Sequence, residues 1–246
     1  MRAFCFFMRG YMLKITPIPA LSDNYIWIVE QYQQAIIVDP AASLPVLAFL
    51  NHHHLEPKAI LLTHNHHDHT DGVPEILQHY PDLPIYGPEE VNQFANHLVQ
   101  DQDKFELLGL NIAVIKSAGH TAGHISYLIN NEYLFCGDSL FSGGCGRVFT
   151  GDYQAQFEAL QRFNQLADRV HVYPAHEYTQ SNLKFAVTVM EPNCVLAETQ
   201  ERADILRAQH QPTLPTTIGL EKQINPFMRA KTLDEFIQLR QQKDRF

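Results

Sequence analysis

The run Thr63-His64-Asn65-His66-His67-Asp68-His69 sets four histidines and a carboxylate within seven residues. Neutral imidazole and carboxylate are ligands that zinc, iron and manganese all accept, so the run reads as a metal site rather than as a polar loop. A metal held this way can activate water and polarise a carbonyl, which is the chemistry of hydrolysis. Alternation just beyond a strand lets His64 and His66 point to one side, while the adjacent Asp68 and His69 diverge as the chain turns. One short loop can thus offer two pairs of ligands to two neighbouring metals, each still short of its usual complement.

The remaining ligands must come from other strand ends, which lie close in space at one edge of a sheet. Three candidates have that placement: His120 in Ser117-Ala118-Gly119-His120-Thr121, Asp138 in Cys136-Gly137-Asp138-Ser139, and His176 in Pro174-Ala175-His176-Glu177-Tyr178. A carboxylate can bridge two metals through its two oxygens and a neutral imidazole cannot, so Asp138 is the natural bridge. His124 follows His120 by four residues and on spacing alone could serve instead; His120 is preferred and His124 read as a supporting histidine. His67 should point away from His66 and reads as a non-ligand, and His52-His53-His54 reads as a solvated helix end. Asp39 can orient a ligand by a hydrogen bond or simply initiate a turn.

The elements that carry these residues are short. Leu13 to Ile18, Tyr25 to Val29, Ala35 to Val38 and Ala59 to Leu62 read as strands, the last leading into the histidine run. Leu110 to Ile115, Ser126 to Ile129, Tyr133 to Phe135 and Val170 to Tyr173, the last strand expected, follow the same pattern. Leu44 to Leu50, Gly72 to Tyr80 and Tyr153 to Leu166 are helical in pattern. From Thr179 onward the character is helical, over Gln180 to Met190, Val195 to Ala208 and Leu233 to Lys243, split by prolines. The expectation is an α/β chain with a catalytic domain over 1–178 and a helical domain over 179–246.

The composition narrows the partners. With 18 Lys+Arg against 27 Asp+Glu the net charge is −9, which disfavours nucleic acid. Cys5, Cys136, Cys145 and Cys194 show no paired spacing and no secretory signal, so the thiols read as reduced and the compartment as cytoplasmic. No stretch reads as a membrane span and no obligate protein partner is evident. Residues 1–11 read as an extension, with Met12 as a candidate start.

The combination of Thr-His-x-His-x-Asp-His, Gly-His-Thr, Gly-Asp-Ser and His-Glu-Tyr resembles the metallo-β-lactamase superfamily. Within it the resemblance is to the hydroxyacylglutathione hydrolases, the glyoxalase II family, and runs from Met12 to Phe246. Ser22-Asp23-Asn24-Tyr25, Gly143-Gly144-Cys145-Gly146-Arg147 and Lys243-Asp244-x-Phe246 belong to it. Ala118 and Ala175 depart from the family's frequent proline and glycine without removing a ligand. The resemblance implies an αβ/βα sandwich with a C-terminal helical domain. It also implies one metal on His64, His66 and His120, another on Asp68, His69 and His176, and Asp138 bridging both. The implied activity is hydrolysis of S-D-lactoylglutathione and related 2-hydroxyacylglutathiones, the second step of methylglyoxal detoxification, at two divalent ions, with zinc expected and iron or manganese also suited.

A thioester suits such a centre, because a hydroxide held between the metals by way of Asp68 and Asp138 is the expected nucleophile and a thiol of pKa about 8.5 leaves without a strong acid. Arg240 and Lys243, three apart on the last helix, can converge on a carboxylate, although a solvated basic helix end has the same pattern. By the resemblance they grip the glycine carboxylate of glutathione, and Arg147, Phe149 and Tyr178 supply further contacts. Some relatives have Lys and Tyr where this chain has Arg147 and Phe149, so one hydrogen bond is absent here. A persulfide dioxygenase, a β-lactamase and a lactonase of the same superfamily are the nearer competing readings, and a cysteine hydrolase using Cys145 or Cys136 and a non-catalytic metal-binding module are the others.

Overall fold

Alternation along the strands decides the architecture. The computed structural model describes residues 13–246. In chain order its first half has β1 (Lys14–Ala20), β2 (Asn24–Gln31), β3 (Gln34–Val38), α1 (Ser43–His53), β4 (Glu56–Leu61), α2 (His67–Thr70), α3 (Val73–His79), β5 (Ile85–Gly87) and β6 (His97–Leu98). The six strands form one sheet in sequential order, antiparallel from β1 to β3 and parallel from β3 to β6. Along β2, Ile26 and Ile28 pack outward with Val46, Leu50, Val73 and Ile76 of α1 and α3. Tyr25, Trp27 and Val29, on the opposite face, pack with Val114, Tyr127 and Phe135 of the second sheet. Both faces are covered, which is why these strands read as apolar runs rather than as alternation.

The second half has β7 (Lys104–Leu107), β8 (Leu110–Lys116), β9 (Ile125–Ile129), β10 (Tyr133–Gly137), α4 (Tyr153–Asn164), β11 (His171–Pro174), α5 (Thr179–Val189), α6 (Cys194–Ala208), β12 (Thr216–Thr217), α7 (Ile218–Ile224), α8 (Pro226–Arg229) and α9 (Leu233–Arg245). Its sheet runs β12-β11-β10-β9-β8-β7. Leu134 and Val172 on the outer face pack with Leu160 and Phe163 of α4 and with Phe227 and Phe236 of the C-terminal region. Helices outside two facing sheets make the expected αβ/βα sandwich.

Three local expectations need correcting. Strands β5, β6, β7 and β12 are two to four residues long, too short to show a period in sequence. Val170 to Tyr173 is not the last strand: β12 pairs with β11 through Val172↔Thr216 and His171↔Thr217, so the helical region also extends the second sheet. The histidine run does not stay a turning loop, because His67 to Thr70 forms a single helical turn. The reading of residues 1–11 and Met12 lies outside the described residues.

Candidate metal centre

The connections after β3, β4, β8, β10 and β11 meet at one edge of the sandwich and bring together every expected ligand. His66 Nδ1 stands 3.0 Å from both His64 Nε2 and His120 Nε2, and Asp138 Oδ2 is 3.3 Å from His120 Nε2. Nitrogens 2.0–2.1 Å from a tetrahedral ion are about 3.3 Å apart, so this group has the spacing of one coordination shell. A second group follows beside it, with His176 Nε2 3.3 Å and His69 Nε2 3.7 Å from Asp68 Oδ2. Asp138 Oδ1 lies 3.3 Å from His176 Nε2 and 3.4 Å from His69 Nε2. One carboxylate therefore faces both groups, with a different oxygen to each.

The donor set fits a cation. Asp138 Oδ1 and His69 Nε2 are buried and have no hydrogen-bond partner among the described residues. Buried polar atoms are rarely left in that state, and an acceptor oxygen and a ring nitrogen facing one space are what a divalent ion satisfies. The cluster is a divalent metal centre in its chemistry.

Hydrogen bonds on the far side of the His69, His120 and His176 rings aim them. Asp39, at a left-handed backbone position after β3, accepts the Thr63 N–H at 2.8 Å and the Thr63 hydroxyl at 2.7 Å, and meets His69 Nδ1 at 3.1 Å. Of the two readings of Asp39, the orienting one describes the structure. His176 Nδ1 meets Asp23 Oδ1 at 2.8 Å, and His120 Nδ1 meets the Arg147 carbonyl at 2.8 Å. Each contact takes up Nδ1 and leaves Nε2 for the centre. Asn24 Nδ2 donates to Asp68 Oδ2 at 3.0 Å, a role that the motif around it did not disclose.

His124 is separated from His120 by its partners. Its Nε2 accepts the Asp138 N–H at 3.2 Å and its Nδ1 meets Ser117 Oγ at 2.9 Å, so both nitrogens are used within the protein. His67 has a side chain 94% exposed and paired with Asp71, away from the cluster. His52, His53 and His54 are exposed at the end of α1.

The electrostatics divide the centre. Burial penalises the charge on Asp138, but His69 and His176 outweigh it and hold the carboxyl well below its ordinary range. Burial likewise opposes charge on His69 and His176, yet the carboxylates of Asp138, Asp39, Asp68 and Asp23 raise them to about 10 and about 11. His64 and His120 go the other way, pushed down by burial. Asp68 stays well below the carboxylate range despite burial, through His176, His69 and Asn24. Without metal, the His69/His176 side holds protons and the His64/His120 side presents neutral imidazole.

A cavity of about 610 Å³ opens on the cluster, walled by Phe141, Phe149 and Tyr178 and lined also by Arg147, Arg240 and Lys243. The Tyr178 ring stacks on His176 with centroids 4.7 Å apart, and Phe149, 63% exposed, stands 5.3 Å from the His120 ring. Arg240 is not a freely available cation. It is buried, donates from Nη1 to the Cys145 carbonyl at 2.8 Å and from Nε to Asp244 Oδ1 at 3.2 Å, and pairs with that carboxylate through Nη2 at 3.0 Å. Arg147 Nε reaches the same Asp244 at 3.3 Å. Lys243 donates to the Ser181 carbonyl at 2.9 Å and borders the cavity. Asp244 was visible only as part of a terminal motif.

Cys136 and Cys145 are buried packing residues, and Cys194 is exposed. Cys136 is buried with its thiol on the Leu140 carbonyl, and burial pushes it well above the ordinary thiol range. Cys145 is pushed up to about 11 by burial despite Arg240. Cys136→Ser and Cys145→Ser are each expected to keep kcat within about threefold, whereas loss of a nucleophile would abolish turnover. Steady-state assay of both variants decides this, and loss of activity at full metal content in either would revive the cysteine mechanism.

Two family models match the chain: the metallo-beta-lactamase superfamily over residues 20–176 and the hydroxyacylglutathione hydrolase C-terminus over residues 177–246. The hydroxyacylglutathione hydrolase of Glaesserella parasuis serovar 5 is 72% identical over 235 residues, covering 96% of this chain and all of that one. The hydroxyacylglutathione hydrolase of Actinobacillus pleuropneumoniae serotype 5b is 64% identical with the same coverage. Among solved structures, ETHE1 from Myxococcus xanthus has a TM-score of 0.70 at 24% identity, covering 94% of this chain and 90% of that one. TTHA1623, in a di-iron-bound form, has a TM-score of 0.61 at 23% identity, covering 87% and 99%. These two structural likenesses show the fold alone.

Proposed function

Since the chain belongs to the hydroxyacylglutathione hydrolase family within the metallo-β-lactamase superfamily, we propose that it hydrolyses S-D-lactoylglutathione and related 2-hydroxyacylglutathiones to glutathione and the hydroxy acid, the second step of methylglyoxal detoxification. The enzyme is a metal-dependent hydrolase. What supports this substrate is one cavity lined both by the His/Asp cluster and by Lys243, with Arg147 and Arg240 beside it paired to Asp244. His64, His66 and His120 would hold one ion, Asp68, His69 and His176 another, and Asp138 both. Zinc is the ion proposed, and iron or manganese suits the same ligands. When bound, such ions supply hydroxide at neutral pH and a Lewis acid for the thioester carbonyl.

The chain's own residues do the rest. Asp138 and Asp68 keep their charge and give the centre its anionic side. Tyr178 is held protonated by burial and the nearby carboxylates, so its phenol can donate to the bound peptide. Phe149 offers an apolar face in its place. The departing thiolate is a weak base and needs no general acid among the described residues. Residues 1–178 would form the catalytic domain and 179–246 the substrate-binding one. Glutathione thioester is the partner proposed, without nucleic acid, membrane or obligate protein partner, and the cytoplasm is the compartment proposed from free Cys136, Cys145 and Cys194. No helix among the described residues is long and apolar enough to cross a membrane.

The direct test is release of free thiol from S-D-lactoylglutathione by purified protein, with and without chelator, beside a persulfide and a β-lactam. Absence of chelator-sensitive thioester cleavage would sink the proposal.

Lys243 gives a second, pH-dependent expectation. Burial and the Arg240 guanidinium push its ammonium down to about 8, so the cation is present below that pH and lost above it. Lys243→Ala should raise KM about tenfold with little change in kcat, as expected for one remote charge-assisted hydrogen bond of about 1.5 kcal/mol. In the parent KM should climb as pH rises through about 8. A KM–pH profile for parent and Lys243→Arg checks the assignment, since the arginine variant should lack the rise.

A further inference from the structure

The segment from Phe141 to Arg147 packs its backbone closely against the metal cluster. Phe141 and Gly144 close a turn on each other with Gly143 in the left-handed region, and Phe141 packs edge-on to His176 and Tyr178 with centroids 5.8 and 5.1 Å away. A Cβ on Gly146 would fall 2.0 Å from the Asp138 carbonyl oxygen and 2.9 Å from His120 Nδ1, so nothing but glycine fits. The next carbonyl, of Arg147, is the one that meets His120 Nδ1. A shift of this segment therefore moves both a wall of the cavity and a histidine of the cluster.

What holds the segment comes from the C-terminal region. Asn182 donates to the Ser142 carbonyl at 3.1 Å, Asn225 to the Gly144 carbonyl at 2.9 Å, and Arg240 to the Cys145 carbonyl. At the centre of this arrangement is Glu221 on α7, wholly buried and outside the cavity lining. Its Oε2 accepts the Gly143 N–H at 2.8 Å and Asn225 Nδ2 at 3.0 Å, and its Oε1 accepts the Ser142 hydroxyl at 2.9 Å and the Thr216 hydroxyl at 2.7 Å. A carboxyl group in an apolar interior is costly, and four donors saturate its acceptor sites, so its two oxygens are held in one place.

We propose that Glu221 is a positioning residue for the hydrolysis: by gripping the Ser142-Gly143 turn it sets Phe141 and the Cys145–Arg147 backbone against the metal cluster and the substrate cavity. The inference rests on the thioester reading above. The donors also predict which replacement works. The two on Oε2 are N–H groups that cannot reverse, while the two on Oε1 are hydroxyls that can turn and accept. A carboxamide with its oxygen on the Gly143 side satisfies all four, and a methyl group satisfies none.

The test compares Glu221→Ala and Glu221→Gln with the parent. It measures kcat and KM for S-D-lactoylglutathione, bound metal per chain, Tm, and calorimetric Kd for S-methylglutathione, which is not hydrolysed. Glu221→Ala should lower kcat/KM about a hundredfold and weaken S-methylglutathione about tenfold, the scale of a 1 Å misplacement, while Glu221→Gln stays within about threefold of the parent. If Glu221→Ala does not fold, the Ser142→Ala/Thr216→Val double variant, which strips Oε1 alone, should weaken S-methylglutathione about threefold. Parent-like KM and Kd in folded Glu221→Ala, or in the double variant, overturn the proposal, and so does a Gln variant as impaired as the Ala variant. A parent that neither cleaves the thioester nor binds S-methylglutathione would instead defeat the thioester reading.

Discussion

Asp138→Ala is expected to lower kcat by about a thousandfold, because it removes the one charge shared by both halves of the centre. The carboxylate is buried, and its two oxygens lie 3.3 Å from His120 Nε2 on one side and 3.3 Å from His176 Nε2 on the other. Alanine leaves Asp68 as the one carboxylate of the cluster and no anion between its two halves, so metal occupancy should fall together with activity. Asp138→Asn keeps the volume and one acceptor oxygen but not the charge, and should fall nearly as far. Turnover and metal content per chain, measured on the same preparations, check both variants. Activity within tenfold of the parent at full metal content would remove Asp138 from the bridging position.

Stripping the metal is expected to have the next largest effect, loss of at least about a hundredfold in thioester cleavage, restored by adding a divalent ion. The metal-free protein should also acquire a pH dependence that the loaded protein lacks. His69 and His176 are raised to about 10 and about 11, so their contribution to stability is complete below the unfolded value of 6.5 and is lost as pH rises through those values. The buried His64, His120 and His124 are lowered, so their contribution is present above 6.5 and lost as pH falls below it. The Tm of the chelated protein should therefore decline toward both pH 10 and pH 5. Because metal must displace the protons on His69 and His176, its apparent affinity should rise with pH. Thermal melts from pH 5 to pH 10, with and without chelator, test the sign on each side, and a flat profile in the chelated protein would contradict it.

Parts of the centre were legible because their signal is local. His64, His66, Asp68 and His69 lie within one short run, and His120, Asp138 and His176 each follow a strand that its own residues announce. The choice between His120 and His124 was different in kind. Spacing allowed either, and only the Ser117 hydroxyl and the Asp138 N–H, which take up both nitrogens of His124, separate them. The two readings of Asp39 were divided in the same way by its contacts with Thr63 and His69. Arg240 shows the converse. Its place on the last helix was readable, but its engagement with Cys145, 95 residues earlier, was not.

By itself the sequence determined the ligand types, their grouping along the chain, the apolar strands of an α/β chain and the basic pair on the last helix. These follow from chemistry and periodicity that act over a few residues. The tertiary structure alone decided which nitrogen faces the centre, that Asp23 supports His176 across 153 residues, and that Asp244 joins Arg147 to Arg240. It also decided that buried Glu221 grips the turn beside the cluster. Hydrogen bonds of this kind depend on where distant segments pack, and a side chain that accepts one carries no mark of its donor in its neighbours.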